Sequence, residues 1–247
     1  MAALVAIGAS SKVDLMGGSQ AYEHRKPLEH IVARYDRLAR FYRRLEFLFL
    51  ITPHARRRAV AALELAPGDT VLEIGAGTGR NLRYLVDAVG PTGRVIAIDA
   101  SPGMLAQARR LVRDRGWRNV ELLQQDAADL QVDDEVDGVL FSLSYSVIPD
   151  PRPALAAAWE RLRPSGRLVV MDLGLTSTAL RGLLAPIASL LDRLAPGDAY
   201  SQPWNDLAAY GPVATERFML DLYYVCVVRR EAPPVAQPTG PRGSGSL

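Results

Sequence analysis

The feature that most constrains the fold is a short apolar segment that runs into three closely spaced glycines and then into a helical pattern. Residues 71–81 read VLEIGAGTGRN. Glycines at this spacing let the backbone turn tightly, and they let a ligand approach where a Cβ would block it. The segment therefore predicts a strand, a ligand-binding turn and a helix in an α/β domain.

Buried strands and amphipathic helices continue to alternate after this segment. Such alternation predicts a Rossmann-like, doubly wound sheet of seven strands, mostly parallel, with a terminal antiparallel strand pair. The predicted strands are Thr70–Gly75, Arg94–Asp99, Asn119–Gln124, Asp137–Ser142, Gly166–Leu173, Thr215–Leu220 and Leu222–Arg229. The predicted helices are Gly79–Val89, a helix capped by Ser101 with Pro102 in its first turn, and Pro153–Leu162.

Three further helices are predicted around this sheet. Apolar side chains recur at helical spacing over Ile31–Ile51, which predicts an N-terminal helical lid, and Thr52-Pro53 begins another helix, His54–Leu65. A mostly apolar helix over Ser177–Leu194 follows the fifth strand. We expect a flexible arm over residues 1–20, one domain over 21–231 that includes the lid at 21–52, and a disordered Pro/Gly/Ser-rich tail over 232–247.

Each of the first three predicted strands has an acidic residue within it, at its end or just after it. These three residues indicate the charge of the ligand. Glu73 precedes the first glycine by two residues and would repel a pyrophosphate, but it suits a cationic ligand. Asp99 ends the second strand and can accept hydrogen bonds from ribose hydroxyls, and Asp126 could accept one from an adenine amine. Arg80 stands where a dinucleotide-binding motif has its last glycine, which disfavours the alternative of a nicotinamide-dependent oxidoreductase.

Together these motifs resemble the class I S-adenosylmethionine-dependent methyltransferases. The resemblance rests on VLEIGAGTG, IAIDASPGML, QDAADL and LRPSGRL in this order. It implies S-adenosylmethionine (SAM) as the cofactor, with its methionine end near Glu73, its ribose on Asp99, and its adenine against Met104, Asp126 and Ala127. The other implied contacts are Tyr35, Gly75, Ala76, Gly77, Thr78, Gly79, Asn81, Ala100, Ser142 and Leu143.

Within that family, the acceptor is indicated by segments outside the core motifs. Arg80-Asn81-Leu82 and residues 143–150, LSYSVIPD, resemble lipid head-group N-methyltransferases, and Tyr35-Asp36-Arg37-Leu38 is similar to their tyrosine-bearing lid. The resemblance implies a small-molecule or lipid substrate, with the amine head group of a phospholipid or betaine lipid as first choice. Quinone C-methyltransferases and natural-product methyltransferases are the alternatives. No histidine lies in the expected acceptor region, which favours an amine or an acidic acceptor, and Tyr35 and Tyr145 are the candidate catalytic residues.

Charge and cysteine content bear on partners and location. Residues 24–58 carry ten Lys or Arg and three acids, so the N-terminal helix could contact an anionic membrane, cover the site as a lid, or present a solvated basic face. The single cysteine, Cys226, and three scattered histidines predict no metal site. We expect a cytoplasmic protein, with the inner face of the membrane as the other location, and no nucleic-acid partner. The oligomeric state and a non-catalytic, cofactor-binding role both remain open.

Overall fold

Seven strands form one sheet in the described part of the chain, which comprises residues 26–39, 53–174, 201–219 and 221–232 of a computed structural model. The strands are β1 (Thr70–Ile74), β2 (Arg94–Asp99), β3 (Val120–Gln124), β4 (Val136–Ser142), β5 (Leu162–Leu173), β6 (Val213–Phe218) and β7 (Tyr223–Arg229). The helices are α1 (Leu28–Leu38), α2 (Pro53–Ala62), α3 (Leu82–Val89), α4 (Pro102–Arg115), α5 (Pro151–Arg161) and α6 (Pro203–Leu207). A single 3₁₀ turn covers Ala127–Asp129.

The strand order is β3-β2-β1-β4-β5-β7-β6. The first five strands pair in parallel, and β7 pairs antiparallel with both β5 and β6. The chain reverses its direction of travel across the sheet between β1 and β4, and ligands of open α/β sheets bind at the carboxyl ends of the strands beside such a switch point. The predicted mostly parallel sheet with a terminal antiparallel pair is confirmed.

Helices cover both faces of this sheet because its central strands are buried on both sides. One apolar core joins the sheet to α2 and α3, and the other joins it to α5 and α6. The first contains Ala55, Ala59, Leu82, Leu85, Val71 and Leu140, and the second contains Ala154, Leu155, Ala158, Leu207, Leu72 and Phe141. This doubly wound arrangement brings the carboxyl ends of β1, β2 and β4 to one edge of the sheet, where α1, the start of α4 and several loops approach.

Several element boundaries differ from the sequence prediction by a few residues, and three of them are informative. Helix α3 begins at Leu82 rather than Gly79, because Gly79 has φ +80° and that conformation does not continue a right-handed helix. Helix α5 begins at Pro151 rather than Pro153, since the Asp150 carboxylate caps it by accepting from the Arg152 N–H at 3.0 Å. Strand β5 begins at Leu162, which pairs with Val136 across an irregularity in the β4–β5 register.

Several predictions fall on residues outside the described ranges. They are the arm over residues 1–20, the Ser177–Leu194 helix, the tail from residue 233 onwards, and the lid beyond residue 39. Within the described ranges, no helix combines the length and the apolar character that a membrane crossing needs.

Candidate functional site

A cavity of about 750 Å³, counting the open space at its mouth, lies at the carboxyl ends of β1, β2, β3 and β4. Its lining residues come from α1, from the turns after the first four strands, and from the start of α4. They are Leu28, Ile31, Val32, Tyr35, Gly75, Gly77, Ile98, Asp99, Ala100, Ser101, Met104, Gln125, Asp126, Ala127, Leu143, Ser144, Val147 and Ile148.

The glycine turn forms the floor of this cavity. Gly75, Gly77 and Gly79 all have positive φ, at +73°, +57° and +80°. The N–H groups of Gly75 and Ala76 both donate to the carbonyl of Ile98 at 2.9 Å, which fastens the turn to the end of β2. L-residues with a side chain rarely adopt this conformation, so the backbone lies open to a ligand.

Asp99 lies half-buried where β2 ends, and its carboxylate organises the turns on both sides. One oxygen accepts from the Gly77 N–H at 2.7 Å and the other from the Ser101 N–H at 2.8 Å. Burial raises the pKa of Asp99, the two backbone N–H groups lower it, and the nearby Asp36 carboxylate raises it. Each carboxylate oxygen can accept more than one hydrogen bond, so the group can still receive two hydroxyl donors from the cavity.

Glu73 lies beside the glycine turn in a buried triad that we define as Arg56, Asn81 and Glu73. Asn81 donates to the Glu73 carboxylate at 2.6 Å, and Arg56 donates to the Asn81 amide oxygen at 2.9 Å. Burial is the largest influence on Glu73 and raises its pKa to about 7, against the lowering effects of Asn81 and Arg56. Burial therefore disfavours the charged form of Glu73, and an approaching cation would stabilise that form.

Replacing Glu73 with glutamine should flatten the pH dependence of the free energy of unfolding. The folded-state pKa of about 7 exceeds the ordinary value of 4.5, so the folded protein holds a proton that the unfolded chain releases across this window. The wild type is thus expected to lose about 3 kcal/mol of stability as the pH rises through the window. Urea unfolding of the ligand-free protein at several pH values measures this slope. Glu29→Gln, on the exposed side of α1, should keep the wild-type slope, and a Glu73→Gln variant that keeps it too would contradict the prediction.

The structure gathers many of the predicted cofactor contacts around the cavity. Tyr35, Gly75, Gly77, Asp99, Ala100, Met104, Asp126, Ala127 and Leu143 all belong to its lining. Asp126 is exposed, and its carboxylate also accepts from the Ala128 N–H at 2.9 Å, which caps the 3₁₀ turn. Leu143 has φ +58°, a strained conformation for a residue with a side chain, and its N–H donates to the Met171 carbonyl at 2.8 Å.

The other predicted contacts lie behind the lining, on the α2–α3 side of the sheet or in the glycine turn. They are Glu73, Ala76, Thr78, Gly79, Asn81 and Ser142. Among the described residues, three buried oxygens in this group have no hydrogen-bond partner: Glu73 Oε2, Thr78 Oγ1 and Ser142 Oγ. Buried polar atoms are nearly always paired, so three unpaired acceptors beside one turn fit the ammonium end of a bound amino-acid moiety.

Tyr145 does not lie where its prediction as a candidate catalytic residue requires. It is fully buried, packs edge-on against Phe141 at 6.4 Å, and its hydroxyl hydrogen-bonds to the Asp206 carboxylate on α6. The reason is the turn after β4, where Ser144 faces the glycine turn and donates to the Ile74 carbonyl at 2.6 Å, so the next side chain enters the core. Of the two predicted tyrosines, Tyr35 is the one on the cavity wall.

Sequence reasoning missed residues that contact the site from a distance along the chain. Arg56 belongs to a basic run in the sequence, yet it is only 8% exposed and completes the buried triad. Asp36 belongs to the Tyr35-Asp36-Arg37-Leu38 motif, and its carboxylate accepts from the Gly103 N–H at the start of α4. The position of Asp36 next to Tyr35 on the predicted lid could have indicated that it lies near the site. No sequence feature sets Arg56 apart from its basic neighbours.

The arrangement fits SAM. A ribose on Asp99 and an adenine between Met104 and Asp126 would place the methionine end over the glycine turn, toward the unpaired oxygens near Glu73. SAM supplies an already activated methyl group, so the protein's tasks are to hold donor and acceptor in line and to exclude water. Among the described residues, no group of three acidic, histidine or cysteine side chains could hold a metal ion.

Comparison with known proteins gives the same result. Residues 71–166 match a methyltransferase domain family. The chain is 36% identical over 142 residues to a phosphatidylethanolamine N-methyltransferase of Cereibacter sphaeroides, a match that covers 56% of this chain and 68% of that protein. It is 33% identical over 119 residues to a ubiquinone/menaquinone biosynthesis C-methyltransferase of Ectopseudomonas mendocina, covering 47% of this chain and 46% of that protein.

A solved SAM-dependent methyltransferase of Aquifex aeolicus has the same fold, with a TM-score of 0.56 and 22% identity over 70% of this chain and 88% of that one. The share of a curated relative that the chain spans varies widely and is as low as 29% for one of them. The named relatives are methyltransferases, which decides against the nicotinamide-dependent alternative. Together with the cradle of Glu73, Asp99 and the three glycines, these matches show that the chain belongs to the class I S-adenosylmethionine-dependent methyltransferases.

Proposed function

We propose that this methyltransferase acts on an amphiphilic small molecule, and that its first-choice acceptor is the amine head group of a phospholipid or betaine lipid. The observation that carries the proposal is the mixed character of the cavity wall. Leu28, Ile31 and Val32 from α1 face the site together with Val147 and Ile148 after β4, so one side is apolar. The lining also carries the carboxylates of Asp99 and Asp126.

The ionisable side chains among these lining residues support an amine acceptor. They are the two aspartates and Tyr35, and the part of the lining that described residues form contains no histidine, lysine or cysteine. A neutral amine needs no base to attack, because its own lone pair forms the new N–C bond while the C–S bond breaks and sulfur keeps the electron pair. The extra proton then leaves the nitrogen to solvent at the cavity mouth. Most carbon and oxygen acceptors need a positioned base to remove a proton.

An acidic acceptor is the second candidate, because a ring carbon activated by neighbouring oxygens also needs little help from a base. The quinone C-methyltransferase relative supports this alternative, and so does a relative named aklanonic acid methyltransferase. Tyr35, on the cavity wall, could steer either acceptor through its hydroxyl or attract a cationic head group through its ring.

The test is methyl transfer from labelled SAM to defined acceptors. The acceptors are phosphatidylethanolamine vesicles, phosphatidylcholine vesicles, free ethanolamine and a demethylated quinone, each with wild type and with Gly77→Ala as a binding-deficient control. We expect label in N-methylated phosphatidylethanolamine with the wild type, and much less label with Gly77→Ala when SAM is below saturation. Label in the quinone would favour the second candidate, and no label in any acceptor would contradict both.

The same vesicles can report on membrane contact through the basic N-terminal segment. Arg34 and Arg37 lie on α1, whereas the large apolar residues of the same segment that could enter a membrane interface, Phe41, Phe47, Leu48 and Phe49, are outside the described residues. We propose that this segment holds the enzyme on an anionic surface, so the protein should sediment with vesicles containing phosphatidylglycerol at low salt and dissociate at high salt. Protein that stays in the supernatant at low salt would count against membrane contact but not against the amine acceptor.

A further inference from the structure

Helix α1 carries one wall of the SAM site, but the described residues give it little apolar packing. Within the helix only Ile31 is buried, and α4 is the main described element that it packs against. A helix of 11 residues is marginal by itself in water, so its position depends on tertiary contacts. What holds α1 against α4 therefore determines whether the wall formed by Leu28, Ile31, Val32 and Tyr35 exists.

Among the described residues, a polar contact centred on Asp36 joins α1 to α4. One oxygen of its carboxylate accepts from the Gly103 N–H at 2.8 Å and from the Ser101 hydroxyl. Gly103 lies in the first turn of α4, where N–H groups have no partner inside the helix and where the helix dipole favours a negative charge. Asp36 thus caps α4 from another helix, 67 residues away along the chain. We call this set of contacts between Asp36, Ser101 and Gly103 the α1 latch.

The α1 latch requires a glycine at position 103, because α1 approaches the backbone of α4 closely there. A Cβ there would lie 2.8 Å from the Asp36 carboxylate oxygen and 3.2 Å from the Asp36 Cα. The second of these atoms is backbone, so α1 itself would have to move away. Glycine is about 1 kcal/mol less favourable than alanine in a helix. The close contact between α1 and α4 that glycine permits offsets this loss of helix stability.

Ser101 connects the latch to the ribose site. Its N–H donates to the Asp99 carboxylate at 2.8 Å, its hydroxyl donates to Asp36, and its hydroxyl oxygen accepts from the Met104 N–H at 3.1 Å as the cap of α4. One residue therefore contacts the carboxylate that holds the ribose and the carboxylate that holds α1. A movement of α1 must disturb Ser101, and through it the turn that presents Asp99.

We propose that Asp36 is a positioning residue that couples docking of α1 to SAM binding through Ser101. Because coupling between two sites is reciprocal, bound SAM should hold α1 against α4 as much as a docked α1 favours SAM binding. The proposal rests on SAM as the cofactor and not on the identity of the acceptor.

The test compares Asp36→Ala, Asp36→Asn, Gly103→Ala and the double variant Asp36→Ala/Gly103→Ala. Asparagine keeps an oxygen that can accept from both donors, whereas alanine keeps none. We expect Asp36→Ala and Gly103→Ala each to raise the Kd for SAM roughly tenfold by calorimetry. Asp36→Asn should remain within a few fold of wild type. The double variant should be no weaker than the single ones, since all three remove the same contact.

Amide hydrogen exchange over residues 28–38 provides a readout that a general loss of stability would not reproduce. In the wild type SAM should slow this exchange, and in Asp36→Ala exchange should be fast with or without SAM while the sheet stays protected. Glu29→Ala, on the exposed side of the same helix, is the matched control and should behave as wild type. Unchanged Kd and exchange in Asp36→Ala, or additive losses in the double variant, would overturn the proposal. If the wild type itself failed to bind SAM, the cofactor assignment would fall, while exchange of the ligand-free proteins would still decide whether Asp36 holds α1.

Discussion

Replacing Asp99 with asparagine is expected to raise the Kd for SAM by about a hundredfold or more. The ribose hydroxyls would donate to a carboxylate that is half-buried and already oriented by the N–H groups of Gly77 and Ser101. Hydrogen bonds to a charged group contribute about 1.5 to 3 kcal/mol each, so the loss of two of them accounts for this change. Isothermal titration of the purified variant with SAM measures it directly.

The asparagine also disturbs the ligand-free site, in the same direction. Its NH₂ group must face one of the two backbone N–H donors that the carboxylate satisfies, which places donor against donor at 2.7 or 2.8 Å. We expect the free energy of unfolding to fall by about 1 to 3 kcal/mol in the absence of SAM. Asp114→Asn, on the exposed part of α4, serves as the control for loss of an acidic charge. Tight SAM binding by Asp99→Asn would remove Asp99 from the ribose site.

The parts of the site that could be predicted from the sequence are those built by neighbours along the chain. The glycine turn follows β1 directly, and Asp99 follows from its place at the end of β2, because carboxyl ends of parallel strands meet at one edge. The cap at Ser101 was visible for the same reason, since Ser-Pro is a local start signal and its oxygen accepts from the Met104 N–H three residues on. The sheet could be predicted in the same way, because each strand and each helix has its own recognisable spacing of apolar residues.

The rest of the site depends on contacts that no local pattern encodes. Arg56 and Asn81 are 25 residues apart, and a buried arginine in a run of three looks like its exposed neighbours until the fold places it. Tyr145 was misplaced for a related reason. Tyr145 follows Leu143 and Ser144 of the cavity lining directly, yet its hydroxyl contacts Asp206 on α6, whereas Ser144 donates to the Ile74 carbonyl.

Alanine substitutions at two glycines of the same turn should have different effects: one should mainly reduce stability and the other should mainly weaken SAM binding. At Gly75 a Cβ would lie 2.4 Å from the Ser144 Cβ and 3.0 Å from its hydroxyl, so the protein itself obstructs the side chain. At Gly77 a Cβ would meet no atom of the described residues within 4 Å beyond its own chain neighbours, because this residue borders the open cavity. Both residues have positive φ, which costs about 1 to 2 kcal/mol for alanine at either position.

Gly75→Ala is therefore expected to lose the strain cost plus an overpacking cost, about 2 to 5 kcal/mol of stability in total, since Ser144 must move and release the Ile74 carbonyl. Gly77→Ala should lose only the strain cost and remain folded. Its methyl group would occupy space that SAM needs, so the Kd for SAM should rise by roughly tenfold to a hundredfold. Urea unfolding without ligand and calorimetry with SAM separate the two effects. Normal SAM binding by a folded Gly77→Ala would mean that the cofactor does not lie against the glycine turn, whereas wild-type stability of Gly75→Ala would mean that Ser144 can move without cost.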